Sequence, residues 1–324
     1  MAVYTRLGAE DLARIVDAFD VGTLVSAKGI AEGVSNSNWL VETQGTDSTR
    51  RFILTMYESR VDVGDLPFFL GLLDHLAERG CPVPRTIHDR AGATWREHEG
   101  KALALIEFLP GVSVTEPSPA QARAVGAALA QVHLCGADFA GERENGMGRE
   151  AWAQLLGDCG EGLAAIDPGL PALIARELPA VSADWPTQLP RSVIHADLFP
   201  DNVLMLGDKV TGLIDFYFAC TDVTAYDVAV THAAWCFSAD GLHFDPRLSR
   251  ALLEGYESLR PLSAPERAAL PLLARAASLR FLATRAYDWI NTPTDDLVTP
   301  KDPMAFAHRL DFYARPENAG LFNA

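Results

Sequence analysis

Residues 192–216 constrain the fold of this chain more than any other stretch. Ser192-Val193-Ile194 reads as a short apolar strand leading into His195-Ala196-Asp197-Leu198-Phe199-Pro200-Asp201-Asn202. Val203-Leu204-Met205-Leu206 leads out, Gly207-Asp208-Lys209 turns, and a second strand runs from Val210 to Ile214-Asp215-Phe216. The polar loop and Asp215 therefore flank one small hairpin and are brought close in space. Phosphoryl transfer asks for such an arrangement. One carboxylate, Asp197, sits beside an acceptor hydroxyl and orients it or takes its proton. An amide oxygen, Asn202, reaches a magnesium ion on a triphosphate, and a second carboxylate, Asp215, meets the metal from the neighbouring strand. Positioning and charge neutralisation are then most of the chemistry. The spacing is that of a loop H-R-D-x-x-x-x-N with a later D-F-G, with the Arg absent here. A plain polar turn, in which Asp and Asn satisfy their own backbone, and a His/Asp metal site for hydrolysis are the competing readings. The flanking strands favour phosphoryl transfer over both.

Composition narrows the class. A chain of 324 residues has length for two modest domains, and 48% hydrophobic residues mark it as soluble and globular. No apolar run approaches a membrane span, and the start, Met1 to Arg6 followed by Glu10, Asp11 and Asp17, lacks the pattern of a signal peptide. The five cysteines (Cys81, Cys135, Cys159, Cys220, Cys236) form no C-x-x-C pair and read as reduced thiols of a cytoplasmic protein. A net charge of −16 argues against nucleic acid or an anionic membrane as partner. It does not argue against a nucleotide that arrives with magnesium.

The pattern along the chain changes once. A short amphipathic helix over 10–18 opens it, with Leu12, Ile15, Val16 and Phe19 at helical spacing. Strands follow over 39–43 and 51–57 after a polar, Gly-containing turn over 28–38; a helix spans 65–79, and strands at 86–88 and 101–108 close this part. After Leu109-Pro110-Gly111 the chain is mostly helical. Ser118-Pro119 is a cap with proline at the first helical position, opening a helix to about 134. Further helices fit 150–156, 169–181, 226–236, 246–259, 264–287 and 303–313. The expected class is α+β. A strand-rich nucleotide-binding lobe spans 1–108, a helical catalytic and substrate lobe spans 109–324, and the site lies in the cleft between them.

These residues resemble a family. Segments 28–38, 65–72, 195–202, 212–220, 225–228 and 279–289 are similar to the aminoglycoside phosphotransferase and choline-kinase branch of the protein-kinase-like fold, and within it to its homoserine kinases. The resemblance implies a two-lobed fold with an antiparallel-sheet N-lobe and a mainly helical C-lobe. It implies ATP and Mg2+ as cofactors, and transfer of phosphate to the hydroxyl of L-homoserine as a step toward threonine. By the same resemblance Asp197 is the catalytic base, His195 is counted with it in the catalytic loop, where it acts in chemistry or holds loop backbone, and Asn202 and Asp215 are on magnesium. Gly33, Val34, Ser35, Asn36 and Ser37 form the phosphate loop. The Glu107 carbonyl and Leu109 amide meet the adenine edge, and Asp227 is a buried carboxylate bracing the catalytic loop. Other small hydroxyl substrates (choline or ethanolamine, methylthioribose, an aminoglycoside) stay open, as does a nucleotide-binding regulator without transfer activity. A monomer or homodimer is expected.

One departure stands out. The lysine that pairs the nucleotide phosphates from the third strand is missing from Phe52-Ile53-Leu54-Thr55-Met56-Tyr57, and Thr55 stands near its place. Lys28, at the edge of the phosphate loop, is the candidate to supply the charge, or it is a solvated lysine. At the substrate end, homoserine needs a cation for its carboxylate. Arg280 and Arg285 share one helix with Asp288, and Arg suits a bidentate clamp. Tyr217 follows the metal carboxylate and faces the site in one strand register.

Overall fold

The computed structural model describes residues 7–30, 36–46, 48–58, 61–293 and 299–322. The chain divides into two compact units, Met1–Pro110 and Gly111–Ala324. Gly33, Val34 and Ser35 of the expected phosphate loop lie outside the described residues.

The first unit contains α1 (Ala9–Asp17), β1 (Thr23–Ile30), β2 (Asn36–Gln44), β3 (Thr49–Tyr57), α2 (Leu66–Glu78), β4 (Thr86–Ile87), β5 (Arg96–His98) and β6 (Lys101–Glu107). The strands form one antiparallel sheet in the order β1-β2-β3-β6-β4, with β5 also paired to β6. Period-two burial explains its core. Trp39 and Val41 of β2, Phe52, Leu54 and Met56 of β3, and Leu103 and Leu105 of β6 share one cluster with Leu12, Ile15 and Val16 of α1. The expected turn over 28–38 is narrower than the composition suggests: residues 28–30 belong to β1 and 36–38 to β2. β5 was not expected, because Arg96-Glu97-His98 carries no apolar residue. Its signal is the turn. Glu99 (φ 50°) and Gly100 (φ 78°) both take positive φ between the paired His98 and Lys101, as a two-residue hairpin turn requires.

The second unit is mainly helical: α3 (Pro119–Cys135), α4 (Arg149–Cys159), α5 (Gly162–Ile166), α6 (Leu170–Ala183), α7 (Thr224–Trp235), α8 (Pro246–Glu257), α9 (Ala264–Asn291) and α10 (Met304–Ala314). Two small antiparallel ribbons interrupt it: β7 (Arg191–Ile194) with β10 (Cys220–Val223), and β8 (Val203–Leu206) with β9 (Lys209–Leu213). α3 begins as its sequence predicts. The Ser118 side chain accepts from the Gln121 N–H (3.2 Å), the Gln121 side chain accepts from the Ser118 N–H (2.9 Å), and Pro119 follows the cap. α7 is buried at every residue, so it must be apolar all round or fully satisfied. Most of its polar members are satisfied; the buried Tyr226 hydroxyl, with no hydrogen-bond partner, is the exception. His232 meets the Tyr313 hydroxyl (2.6 Å) and Ser249 Oγ (2.8 Å), and burial pushes its pKa down to about 3, so it stays neutral.

α3 and α8 touch backbone to backbone. A Cβ on Gly126 would lie 2.0 Å from the Leu252 carbonyl oxygen, and one on Gly255 would lie 2.0 Å from that of Arg123. In an open helix Gly→Ala stabilises by roughly 1 kcal/mol. Here the sign reverses. Gly126→Ala and Gly255→Ala should each destabilise by about 1–3 kcal/mol, read as a lower denaturant midpoint with an unchanged slope.

Candidate active site

The site starts at a turn that the sequence does not favour. β7 ends at Ile194, and two residues later Ala196 adopts φ 63°, where a residue with a Cβ is disfavoured by about 1–2 kcal/mol. Two buried charges hold it there. Asp227, fully buried on α7, accepts the N–H of His195 at Oδ2 and that of Ala196 at Oδ1, both at 2.7 Å. Arg280 of α9, 2% exposed, donates to the Ala196 carbonyl. Asp227 also accepts from His133 Nε2 (3.0 Å), whose Nδ1 meets the Tyr256 hydroxyl (2.8 Å). Burial alone would raise the Asp227 pKa, but the His133 hydrogen bond and charge, with the His195 bond, bring it below the ordinary value.

His195 is spent on the same loop. Its Nε2 donates to the Ile214 carbonyl (3.0 Å), and its Nδ1 accepts the Asp197 N–H (3.2 Å), which fixes the neutral Nε2–H tautomer. Desolvation lowers its pKa against the pull of Asp227. The Ile214 bond joins the loop to the end of β9. There the expected second strand stops at Leu213. Asp215 turns left-handed (φ 65°, ψ 56°) and a short 3-10 turn, Phe216–Phe218, follows. The Ile214 N–H donates to the Asn202 carbonyl (3.0 Å), a further tie between the two segments that carry the candidate metal donors.

Asn202 donates its amide nitrogen to the Asp197 carbonyl (2.8 Å) and carboxylate (3.2 Å). Its amide oxygen is then the donor for an outside ligand. Among the described residues no three His, Cys, Asp or Glu side chains form a metal cage by themselves. One amide oxygen and one carboxylate are hard donors that fit a magnesium ion, which keeps waters and phosphate oxygens for its other positions. Burial pushes the half-buried Asp197 up to about 7, with Arg280 pulling down and Asp215 pushing further up. Asp215 keeps a solvent-accessible carboxylate, yet desolvation by the surrounding protein raises it to about 6.

Beside this loop the second unit forms an open cavity of about 550 Å³. Phe199, Pro200 and Asp201 form one wall, Trp235 and Phe237 another, and Arg285, Lys301 and Arg309 add positive charge. Lys301 pairs with Asp201 (3.1 Å), and the Trp235 indole N–H holds the Leu198 carbonyl (2.9 Å). Arg309 was not singled out from sequence. It lies beyond the segment that carries the two expected arginines, and only its burial marks it.

The expected substrate residues separate. Arg285 lines the cavity. Arg280 does not. It lies over the Phe218 and Phe281 rings (5.2 and 4.6 Å) with its guanidinium on the loop backbone, which corrects its expected placement at the substrate. The physical reason is helix geometry: five residues at about 100° each set the two arginines roughly 140° apart around α9. Tyr217 is half-buried in the turn after Asp215, and Asp288 is exposed near the end of α9. In the strand unit, Lys28 is exposed on β1, and Asn36 and Ser37 begin β2. Glu107 ends β6, with its N–H on the Arg85 carbonyl (2.9 Å), and Leu109 is half-buried. Thr55, standing where a lysine is missing, is buried and donates to Asn38 Oδ1 (2.8 Å).

A carboxyl whose pKa is raised by folding weighs on stability once it ionises. That cost is absent below the unfolded value near 3.8 and complete above about 7. Asp197→Asn should therefore melt higher than the parent protein at alkaline pH, without ligands, and the gain should vanish toward pH 4. A gain that is constant with pH would contradict the desolvated carboxylate.

Comparison with known proteins gives the family and the fold. A model of the phosphotransferase enzyme family matches residues 26–262. A homoserine kinase of Azorhizobium caulinodans is 51% identical over 313 residues, 97% of this chain and 96% of that protein. One of Parvibaculum lavamentivorans is 47% identical over 325 residues, 99% of each chain. Among solved structures, an amicoumacin kinase superposes with a TM-score of 0.71 at 14% identity, covering 95% of this chain and 93% of that one. A choline kinase from Cryptosporidium parvum gives 0.63 at 13% identity, with 97% and 96% covered. These likenesses establish the protein-kinase-like fold, with an antiparallel-sheet unit and a helical unit, and with the family model matched over residues 26–262, which include the 195–215 segment, the chain belongs to the phosphotransferase enzyme family.

Proposed function

We propose that this chain transfers the γ-phosphoryl group of ATP to the side-chain hydroxyl of L-homoserine, giving O-phospho-L-homoserine and ADP. The observation that carries the reading is the held loop: Asp197 has its backbone fixed by His195 and its carboxylate fixed by Asn202. The name carried by relatives about half identical over nearly the full chain supports the acceptor.

The residues divide the work. Asp197 accepts the hydroxyl proton as the new O–P bond forms and the bond to the leaving ADP oxygen breaks. It later returns that proton to solvent. A magnesium ion held by Asn202 and Asp215 would neutralise phosphate charge. His195, neutral and doubly bonded, keeps the loop in register and takes no proton. Glu107 and Leu109 offer backbone groups to the adenine. Lys28, with Gly33, Val34, Ser35, Asn36 and Ser37, meets the phosphates. Arg285 faces the acceptor carboxylate, with Tyr217 and Asp288 as further acceptor contacts.

A panel of homoserine, choline, ethanolamine, methylthioribose and kanamycin with magnesium-ATP, read by product mass, tests the acceptor. Homoserine should be the best substrate, and a panel in which choline or kanamycin is phosphorylated and homoserine is not would overturn the assignment. Asp197→Asn should lower kcat by about 10²–10⁴, the range for a general base. Because Asp197 works ionised and its pKa stands at about 7, kcat/KM should rise with pH through neutrality and flatten above it. A profile flat from pH 5 to 9 would remove Asp197 from that role.

A further inference from the structure

The cavity beside the catalytic loop holds two arginines that form no ion pair among the described residues. Arg285 and Arg309 both lie over the Phe306 ring, each 4.5 Å from its centroid. Arg309 is 4% exposed. Its Nη1 donates to the Ala305 carbonyl (2.6 Å), its Nη2 donates to the Ser238 carbonyl (3.0 Å), and its Nε is buried with no partner. Arg285 donates to the Asp302 carbonyl (3.2 Å). All these partners are neutral. Among the described residues neither guanidinium forms an ion pair.

The acids around the cavity spend their hydrogen bonds elsewhere and reach the arginines only through space, Asp302 and Asp201 acting on Arg285 and Asp240 on Arg309. Asp201 pairs with Lys301 (3.1 Å). Asp240 accepts from Ser238 Oγ (2.5 Å) and the Leu242 N–H (3.0 Å), and Asp302 accepts the Met304 N–H (2.8 Å). Two like charges on one ring, Arg309 buried and Arg285 half-buried, are costly without an anion. Desolvation, with Arg309 nearby, lowers Arg285 to about 10, and desolvation lowers Arg309 to about 10 as well. The cavity wall that faces the pair, Phe199 to Asp201, belongs to the loop that carries Asp197. The rest of the wall, with Phe199, Trp235 and Phe237, suits methylene groups.

We propose that Arg309, jointly with Arg285, receives the α-carboxylate of the acceptor, and that this pair sets the preference for an amino-acid alcohol over an amino alcohol. This rests on the function proposed above. Planar guanidinium forks bind carboxylates with directed hydrogen bonds, and Arg309 adds a second, buried anchor to the contact expected from Arg285 alone.

The test compares L-homoserine with 3-aminopropan-1-ol, which has the same chain without the carboxylate, in the parent enzyme, Arg309→Met and Arg309→Lys. The parent should prefer homoserine strongly. Arg309→Met should shrink that preference by on the order of 10–100-fold, the range for a hydrogen bond to a charged group. The loss should appear in KM for homoserine and not in kcat, and Arg309→Lys should recover part of it. If Arg309→Met fails to fold, Arg309→Lys carries the same comparison with a smaller loss. An unchanged preference, an equal loss for both acceptors, or a parent with no preference would overturn the proposal while the kinase reading stands. A parent enzyme that phosphorylates other alcohols but not homoserine would sink the acceptor assignment, and this inference with it.

Discussion

The helical unit depends on two charges that hold one alanine. Ala196 needs a left-handed backbone, and its N–H and C=O are taken by Asp227 and Arg280 from two different helices. Charge-assisted bonds of this kind are roughly twice as strong as neutral ones, enough to offset a backbone penalty of about 1–2 kcal/mol. The dependence runs both ways. Asp227 is fully buried, and without the loop amides and His133 it would be an uncompensated charge. The loop conformation, the seating of α7 and the placement of α9 are therefore one arrangement, with Asp197 and Asn202 as its outward product.

Three carboxylates in this region are tuned apart by their surroundings. Asp227 has two N–H donors and a histidine, and its pKa falls. Asp197 has one amide partner and Asp215 is raised by desolvation alone, and both pKa values rise. The first is finished as a structure. The other two are left short of positive charge in the free protein. A reacting hydroxyl and a metal-bound nucleotide would supply what they lack. Strain of this kind at a site, offset by packing elsewhere, is the usual relation between stability and activity. The arginine pair in the neighbouring cavity has the same character with the opposite sign.

Much of this was legible in the sequence because it is local. Asp197, Asn202 and Asp215 fall within one hairpin and its approach, so spacing and strand pattern were sufficient. The long helices were legible from apolar periodicity and from caps such as Ser118-Pro119. What was not legible depends on distance or on side-chain destination. His133 reaches Asp227 across 94 residues. Arg280 and Arg285 look alike on paper and face different neighbours, although their five-residue separation already places them on different sides of α9. β5 and β10 have weak apolar patterns and exist because a turn or a partner strand holds them. The left-handed Ala196 has no composition signal at all, since alanine is not a residue that favours it.

The most direct test of the account joins that alanine to its brace. Asp227→Asn keeps the shape but cannot accept both loop N–H groups, so kcat should fall steeply. If the brace exists to hold a left-handed residue, glycine at 196 should relieve the need for it. The double variant Asp227→Asn/Ala196→Gly should then recover kcat over Asp227→Asn alone by about 5–30-fold, the equivalent of about 1–2 kcal/mol. A double variant no faster than the single one would contradict the claim that the Ala196 turn is what Asp227 sustains.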